Sequence, residues 1–337
     1  MRHRNIPIFI PHLGCPNQCV FCNQRSISGC RDFREGSVSE QIERALSTIS
    51  PETETEIAFF GGSFTGIDRE LMIRLLKTAE QYVKERRVSG IRLSTRPDYI
   101  TPEILDILSR YSVRVIELGL QSMDDGVLLA THRGHTAKQA EEACRVVVNA
   151  GFTLVGQMMI GLPGGSERNE IETAKRICDL GASAARIYPT VVFYDTPLCD
   201  MVKNRAYTPL SVEEAVKRST SVLRVFTERG VPCIRIGLCA GEELISPDTV
   251  MAGPNHPALG EMVRSEYAYE RLLDALERTG LRGQDVMIKA PPCEISRVVG
   301  QHRSNLVRLA RETDTRVRKI VGDENMQEIL PQPWQIE

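Results

Sequence analysis

Cys15, Cys19 and Cys22 stand in a C-x3-C-x2-C pattern within Gly14-Cys15-Pro16-Asn17-Gln18-Cys19-Val20-Phe21-Cys22. Thiolates at this spacing can converge on one metal centre. A structural zinc wants four ligands, which would recruit Cys30. A cubane iron–sulfur cluster held by three cysteines leaves one iron open to a substrate. A loop of reduced, buried thiols is the third reading, and spacing alone leaves all three open. The other cysteines, Cys30, Cys144, Cys178, Cys199, Cys233, Cys239 and Cys293, are scattered. The N-terminus lacks a signal-peptide core, so ten cysteines in a chain of this length point to metal or redox chemistry rather than disulfides.

Further polar and glycine-rich motifs recur along the chain, each after a short apolar run. Residues 6–10 read as a strand ending just before the cysteines. Residues 57–60 read as a second strand ending at Gly61-Gly62-Ser63, residues 91–95 as a third, 113–120 as a fourth, 153–160 as a fifth and 185–192 as a sixth; 231–238 is a candidate seventh. Between them lie segments of helical spacing. Residues 37–49 open on a capping box, Ser37 with Glu40, and residues 211–229 on another, Ser211 with Glu214. Met72, Leu75, Leu76, Ala79 and Val83 share a face, and Thr101-Pro102-Glu103 opens a helix with proline in its first turn. Residues 136–150 and 166–180 are helices closed by Gly151 and Gly181, and Gly230 stops the helix at 211–229. Apolar strands alternating with helices predict an α/β fold, a parallel sheet covered by helices. Six or seven such units predict a partial (β/α)6 barrel, whose chemistry would sit at the C-terminal ends of the strands.

The chain has 337 residues, 42 basic and 44 acidic, net −2, with 42% apolar and 26% charged side chains. It can bury a sizeable core, and disorder, collagen and coiled coil are excluded as the dominant state. No apolar run reaches the length of a membrane span. The expectation is a cytoplasmic protein with no membrane partner.

The strings GCPNQCVFCNQRSISG, FFGGSFTG, STRPDYI, ELGLQSMDD, RGHT, MIGLPG and RIYPTVV, in this order, resemble the radical S-adenosylmethionine (SAM) superfamily. More narrowly, they resemble the radical SAM domain of the Elongator catalytic subunit and its shorter bacterial relatives. The resemblance covers roughly residues 1 to 260. It implies a 4Fe-4S cluster on Cys15, Cys19 and Cys22, with the methionyl amine and carboxylate of SAM on the open iron. It further implies reductive cleavage to a 5′-deoxyadenosyl radical and a reductant such as flavodoxin or ferredoxin. The chain stops without room for the acetyltransferase domain of the Elongator subunit, so acetyl transfer is not carried over.

The resemblance also distributes candidate cofactor contacts. Phe21 either packs on the adenine, shields the cluster or is core. Gly61, Gly62 and Ser63 either let backbone carbonyls reach the SAM amino group or form a tight turn. Ser94, Arg96, Glu117, Gln121 and Ser122 supply polar groups where ribose and carboxylate would lie. Gln157 is an amide inside an apolar strand and needs partners. Gly161 and Leu162 fit an adenine-side turn, and Tyr188 ends the sixth strand. For Arg133-Gly134-His135-Thr136, His135 could face the substrate; the simpler expectation is that Thr136 caps a helix while Arg133 and His135 are exposed or satisfy loop carbonyls. Cys30 and Cys239 are candidate catalytic residues, as hydrogen-atom donor or methyl acceptor, against the simpler reading of small buried side chains. His256 follows the last barrel element.

The division expected is a barrel over 1–240, a connecting helical segment over 241–284 and a C-terminal module over 285–337. In that module a strand at 285–289, helices at 295–299 and 304–312 and a strand at 316–321 resemble the minimal KH RNA-binding unit, with Gly300-Gln301-His302-Arg303 in place of its GXXG loop. Residues 295–320 hold seven basic side chains against two acidic ones, net +5, leaving −7 for the remainder. Gly300, Gln301, His302, Arg303, Arg308 and Arg311 are therefore candidate RNA contacts. The leading expectation is a radical SAM enzyme that modifies a tRNA or rRNA nucleoside. The alternatives are a radical SAM enzyme acting on a small molecule or porphyrin, and a zinc-stabilised RNA-binding protein without catalysis. Sulfur insertion is disfavoured because no second cysteine triplet exists.

Overall fold

A computed structural model describes residues 3–11, 13–15, 19–23, 33–238, 246 and 248–334. The chain divides into two compact units, Met1–Ala215 with Val225–Pro257, and Val216–Arg224 with Ala258–Glu337.

The first unit is built on seven parallel strands: β1 His3–Ile10, β2 Glu54–Gly61, β3 Gly90–Thr95, β4 Val113–Gln121, β5 Thr153–Ile160, β6 Ala184–Pro189 and β8 Cys233–Ile236. Each pairs with the next in chain order, so every crossover advances by one position, as in a wound α/β barrel. β1 and β8 are edges, so the barrel is partial, and it has one strand more than the minimum of six. A short antiparallel ladder joins β7 Val192–Phe193 to β9 Val250–Ala252. The sixth strand thus ends at Pro189, before 190–192, and Val192–Phe193 pair with β9 instead.

The helices of this unit are α1 Val38–Leu46, α2 Arg69–Lys84, α3 Pro102–Ser109, α4 Asp125–Ala130, α5 Ala137–Asn149, α6 Glu167–Asp179, α7 Pro197–Lys203 and α8 Val212–Glu228, the last shared with the second unit. Capping boxes form at Thr136/Gln139, Ser166/Asn169 and Ser211/Glu214. The expected box at Ser37 does not form: Ser37 is already helical, in a 3-10 turn, and its hydroxyl donates to the Arg34 carbonyl instead. α4 and α7 are too short to show a periodic stripe in the sequence.

Alternation along the strands gives the sheet two faces. Ile91, Leu93, Ile116, Leu118, Leu120, Leu154, Met158 and Ile187 belong to an apolar layer that is buried. On the other face, beside the small apolar cluster of Val115, Val155 and Ala184, stand charged and polar residues. Arg92 pairs with Glu56 at 2.7 Å and with Glu117 at 2.9 Å. Arg186 reaches the other oxygen of Glu117 at 2.8 Å, Gln157 donates to that oxygen at 2.8 Å, and His3 lies 2.8 Å from Glu56. Glu117 is fully buried and Glu56, Arg92 and Arg186 nearly so. The two arginines and two glutamates cancel in charge, which is what allows a sheet interior to hold them.

The second unit packs α9 Leu259–Thr279 with a three-stranded sheet ordered β11-β10-β12: β10 Asp285–Ala290, β11 Arg316–Gly322, parallel to it, and β12 Leu330–Pro333, antiparallel. α10 Ile295–Val299 and α11 Ser304–Thr313 join β10 to β11. Tyr269, Leu272, Leu276, Val286, Ile288, Val298 and Leu309 form its core.

Glu117→Ala leaves two buried guanidinium groups without their shared carboxylate, and the expected loss is about 3–5 kcal/mol of stability. Urea unfolding followed by circular dichroism measures it. A loss within the error of wild type would contradict the charge-balance account.

Candidate active site

The cysteine loop follows β1 and is clamped to the turn after β2. The Gly62 N–H donates to the Ile10 carbonyl at 2.8 Å and the Ser63 N–H to the Leu13 carbonyl at 3.1 Å. The two backbones approach so closely that a Cβ on Gly62 would stand 2.1 Å from the Leu13 oxygen, and one on Gly14 2.1 Å from the Ser63 oxygen. These glycines are required by contact between the two loops. The Ser63 side chain points inward, fully buried, sharing a 2.7 Å hydrogen bond with Thr95 and accepting one from the Arg96 N–H. The turn is thereby fixed to the end of β3.

Two hydrogen bonds hold the distal half of the loop. The Val20 N–H donates to the Thr131 carbonyl, and the Val20 carbonyl accepts from Leu198, the second residue of α7. Phe21 is buried with Val20, Val127, Leu162 and Leu198. This packing anchors the segment between Cys19 and Cys22, and it accounts for Phe21 and Leu162 as core residues.

Cys15 is half-buried, Cys19 buried and Cys22 half-buried. Cys15 feels the charges of Arg133, Arg96 and Cys19; burial pushes its thiol up, and the two arginines pull it back. No group of three or more His, Cys, Asp or Glu side chains closes on a single-ion site among the described residues. Cysteine thiols beside two buried arginines, with a third cysteine three residues on, are donors that fit an iron–sulfur cluster. Cys30 and Cys239 lie outside the described residues. Cys144 is elsewhere, on α5, its thiol pushed up to about 12 by burial.

The main surprise is Arg133. Instead of being exposed it is buried, its Nη1 3.4 Å from the Cys19 sulfur and its Nη2 donating to the Gly119 carbonyl. Arg96 is buried beside it, 3.9 Å from the same sulfur, clasping Asp98 with two 2.9 Å hydrogen bonds and donating to the Arg133 carbonyl at 2.6 Å. His135 is buried as well, 3.9 Å from Asp98. Its pKa falls to about 3, through burial first and then the positive charge of Arg133, so the ring is neutral. Thr136 caps α5 as expected. RGHT is therefore an inward-facing wall of the site, and the signal for that lay in tertiary packing.

The remaining candidates separate into two sets. Glu117 and Gln157 are committed to the ionic network, and Glu117 is sealed from solvent. Arg96 is likewise committed to Asp98 and Arg133. The Gly161 N–H donates to Glu170 and its carbonyl accepts from Tyr207, so that turn is internally satisfied. Ser94, Gln121 and Tyr188 are half-buried. Gln121 carries a left-handed φ of 67° at the bulged end of β4, and its buried Oε1 has no hydrogen-bond partner. Arg133 Nε is a second orphaned buried polar atom. Strain and unmet hydrogen-bonding capacity together, at the C-terminal end of a barrel strand, fit a polar ligand at this place. Sequence reasoning missed Glu56, Arg92 and Arg186. Their signal was present as a charged residue at alternate positions of otherwise apolar strands.

In the second unit most of the basic strip is already paired. Arg308 bonds Glu266 and Glu312 and lies over the Tyr269 ring, Arg297 bonds Glu294, and Arg318 bonds Asp285. Arg311 lies 3.4 Å from Glu312. Among the described residues, Arg303, Arg316 and Lys319 carry no such partner. Gly300 cannot hold a Cβ, which would meet the Ser304 oxygen at 2.5 Å. Arg303 adopts a left-handed φ of 63° at the place of the second glycine in a GXXG loop.

A parallel partial barrel with a three-cysteine loop after its first strand defines a radical SAM architecture, and the family comparison agrees. The model of the radical SAM superfamily matches residues 9–177, and that of the radical SAM C-terminal domain matches 182–269. The chain belongs to the radical SAM superfamily, and its cofactors are accordingly a 4Fe-4S cluster and S-adenosylmethionine. Among curated proteins it is 29% identical over 261 residues to an uncharacterized protein of Methanocaldococcus jannaschii, covering 74% of this chain and 78% of that one. It is 34% identical over 137 residues to Elongator complex protein 3 of Saccharomyces cerevisiae, covering 40% of this chain and 25% of that one. It is 24% identical over 262 residues to the tRNA uridine(34) acetyltransferase of Methanocaldococcus infernus, covering 72% and 46%. Among solved structures, the archaeal Methanocaldococcus infernus Elp3 with an N-terminal deletion superposes with a TM-score of 0.61 at 18% identity, covering 88% of this chain and 67% of that one, which shows the fold. The Elongator resemblance expected from the seven strings is thereby met.

Two outcomes are expected here. Gly62→Ala forces the turn off the Leu13 carbonyl, costing about 1–3 kcal/mol and lowering iron and sulfide content after anaerobic reconstitution; wild-type loading would refute the clamp. For His135, the unfolded chain takes up a proton below about pH 6.5 that the native state refuses until about 3. Stability therefore falls as pH drops through that window, by up to about 1.4 kcal/mol per pH unit. Above it His135 contributes no pH dependence. In denaturant unfolding at several pH values, His135→Gln should show a shallower acid slope, and an unchanged slope would argue against a buried neutral imidazole.

Proposed function

We propose that this protein is an RNA-modifying radical SAM enzyme acting on a tRNA or rRNA nucleoside, and that Cys15, Cys19 and Cys22 are the cluster ligands. The observation that carries the reading is the clamped cysteine loop at the C-terminal ends of β1 and β2, walled by Arg96, Arg133 and Gln121. When bound, cluster and SAM supply radical chemistry, which suits an unreactive carbon that no side-chain base can deprotonate at neutral pH. The residues of this chain bind and orient. Gly61, Gly62 and Ser63 hold the loop in place, and Ser94 and Gln121, with Tyr188 at the end of β6, offer polar groups to a ligand.

Support for an RNA substrate comes from the relatives, one of them named as a tRNA uridine(34) acetyltransferase. The chain spans under half of that protein, so its acetyl transfer is not assigned here. The second unit supplies a KH-like β–α–loop–α–β arrangement, in which Gly300, Gln301, His302 and Arg303 face the RNA backbone and Arg316 and Lys319 add charge. Arg308 and Arg311, matched with Glu266 and Glu312, leave that set. A reductant such as flavodoxin or ferredoxin is the electron source. No helix among the described residues is long and apolar enough to cross a membrane, and the reading places the enzyme in the cytoplasm.

Nucleoside mass spectrometry of digested tRNA and rRNA, from cells with and without the protein, tests the substrate. One modified nucleoside should disappear with the protein; identical profiles would overturn the RNA reading. In salt-dependent filter binding, Arg303→Ala should lower the slope of log affinity against log salt by about one unit. Arg308→Ala should leave the slope unchanged and lower the stability of the module. The reverse pattern would remove the loop from the interface.

A further inference from the structure

Helices α9, α10 and α11 pack on one face of the second unit's three-stranded sheet. Val286, Ile288 and Ala290 of β10 point to that face, where Tyr269, Val298 and Leu309 meet them. Alternation sends Met287 and Lys289 to the other side. The register places Lys319 of β11 and Gln332 of β12 beside Met287, and Val321 and Leu330 beside Lys289. Arg316 stands opposite Asp285, and the Trp334 N–H donates to the Asp285 carbonyl at 3.0 Å, so Trp334 continues the row of Leu330 and Gln332. A sheet face turned to water is ordinarily polar. This one holds Met287, Val321 and Trp334 only half-buried and Leu330 39% exposed. Its charges are left with one sign. Asp285 is taken by Arg318 at 2.8 Å, and among the described residues Lys289, Arg316 and Lys319 have no acidic partner.

We infer that this open face binds single-stranded RNA, its bases laid on Trp334 and the apolar strip and its phosphates on Lys289, Arg316 and Lys319. The inference rests on the RNA reading and extends it to a second surface, because the loop at 300–303 joins α10 to α11, which pack on the opposite face of the sheet. A single strand offers both π-faces and a charged backbone, and proteins hold it by aromatic stacking beside a cationic track. A duplex keeps its bases stacked within itself and meets only the cations. An acidic peptide likewise satisfies the cations and leaves Trp334 without a stacking partner. β11 is an edge of the sheet, so the face is open on the side that carries Arg316 and Lys319.

Trp334 is the one tryptophan of the chain, so its fluorescence reports on this face alone. The test is titration of the full chain with a short single-stranded oligoadenylate, with the same RNA annealed to its complement, and with polyglutamate, while filter binding follows the RNAs in parallel. The single strand should quench Trp334, and the duplex and polyglutamate should not. This readout uses the unaltered chain and stands even where a variant fails to fold. Trp334→Ala should weaken single-strand binding about tenfold, and Trp334→Phe, which keeps an aromatic ring, by less. Lys289→Ala and Lys319→Ala should each lower the slope of log affinity against log salt by about one unit, and Arg303→Ala should leave the quench in place. Single-stranded RNA that binds on the filter without quenching Trp334 overturns the inference and leaves the RNA reading intact. Equal quenching by the duplex or by polyglutamate also overturns it, the second in favour of a protein partner. A full chain that retains neither the single strand nor tRNA on the filter overturns both.

Discussion

The chemistry depends on a seam of two backbone hydrogen bonds, from Gly62 to Ile10 and from Ser63 to Leu13. Everything that positions Cys15 passes through it. The seam exists because β1 and β2 are in parallel register from His3 opposite Glu54 to Ile10 opposite Gly61, so both strands end together and their loops meet. It tolerates no side chain at Gly62 or Gly14. Ser63 then carries the order onward to Thr95 and Arg96, Arg96 to Arg133, and Arg133 back to Cys19. The path starts just before Cys15, at Ile10 and Leu13, and ends on Cys19, so loop and wall fix each other.

Beneath this lies a second constraint, the charge-balanced layer of Glu56, Arg92, Glu117 and Arg186. A wholly apolar sheet interior would fold, but it would present no polar floor to a polar ligand. Among the groups left with unmet capacity, Gln121 Oε1, Arg133 Nε and both ring nitrogens of His135 belong to the end of β4 and the loop before α5. Orientation of a ligand by these groups and rigidity of their support are separate tasks given to separate residues.

The seven barrel strands were legible because each is a short apolar run closed by a turn signal, and the longer helices because their stripes exceed two turns, whereas β7, β9 and β12 are too short to carry a pattern. The boundaries that misled have local causes. Ser37 has the capping-box sequence, but a 3-10 turn had already placed it inside the helix. The cysteine triplet was legible because ligand spacing is a property of sequence. Arg133 and His135 were not, since a polar residue beside glycine reads as exposed loop until the packing that buries it is known. The basic strip at 295–320 misled similarly. The count took in only nearby acids, whereas Glu261 and Glu266 come from α9 and Asp285 from β10, ahead of the counted window. Net charge over a segment measures an electrostatic patch only when no other element folds onto it.

The central claim is that Cys15, Cys19 and Cys22 hold a 4Fe-4S cluster that acts on S-adenosylmethionine. The most direct measurement is iron, sulfide and visible absorption of the anaerobically purified chain, with S-adenosylmethionine cleavage after dithionite reduction, in wild type and in the Cys15/Cys19/Cys22→Ala triple variant. The account requires iron and sulfide in wild type, broad absorption, reductive cleavage, and loss of all three in the variant. Bound zinc without sulfide, or cleavage that survives in the triple variant, would contradict it.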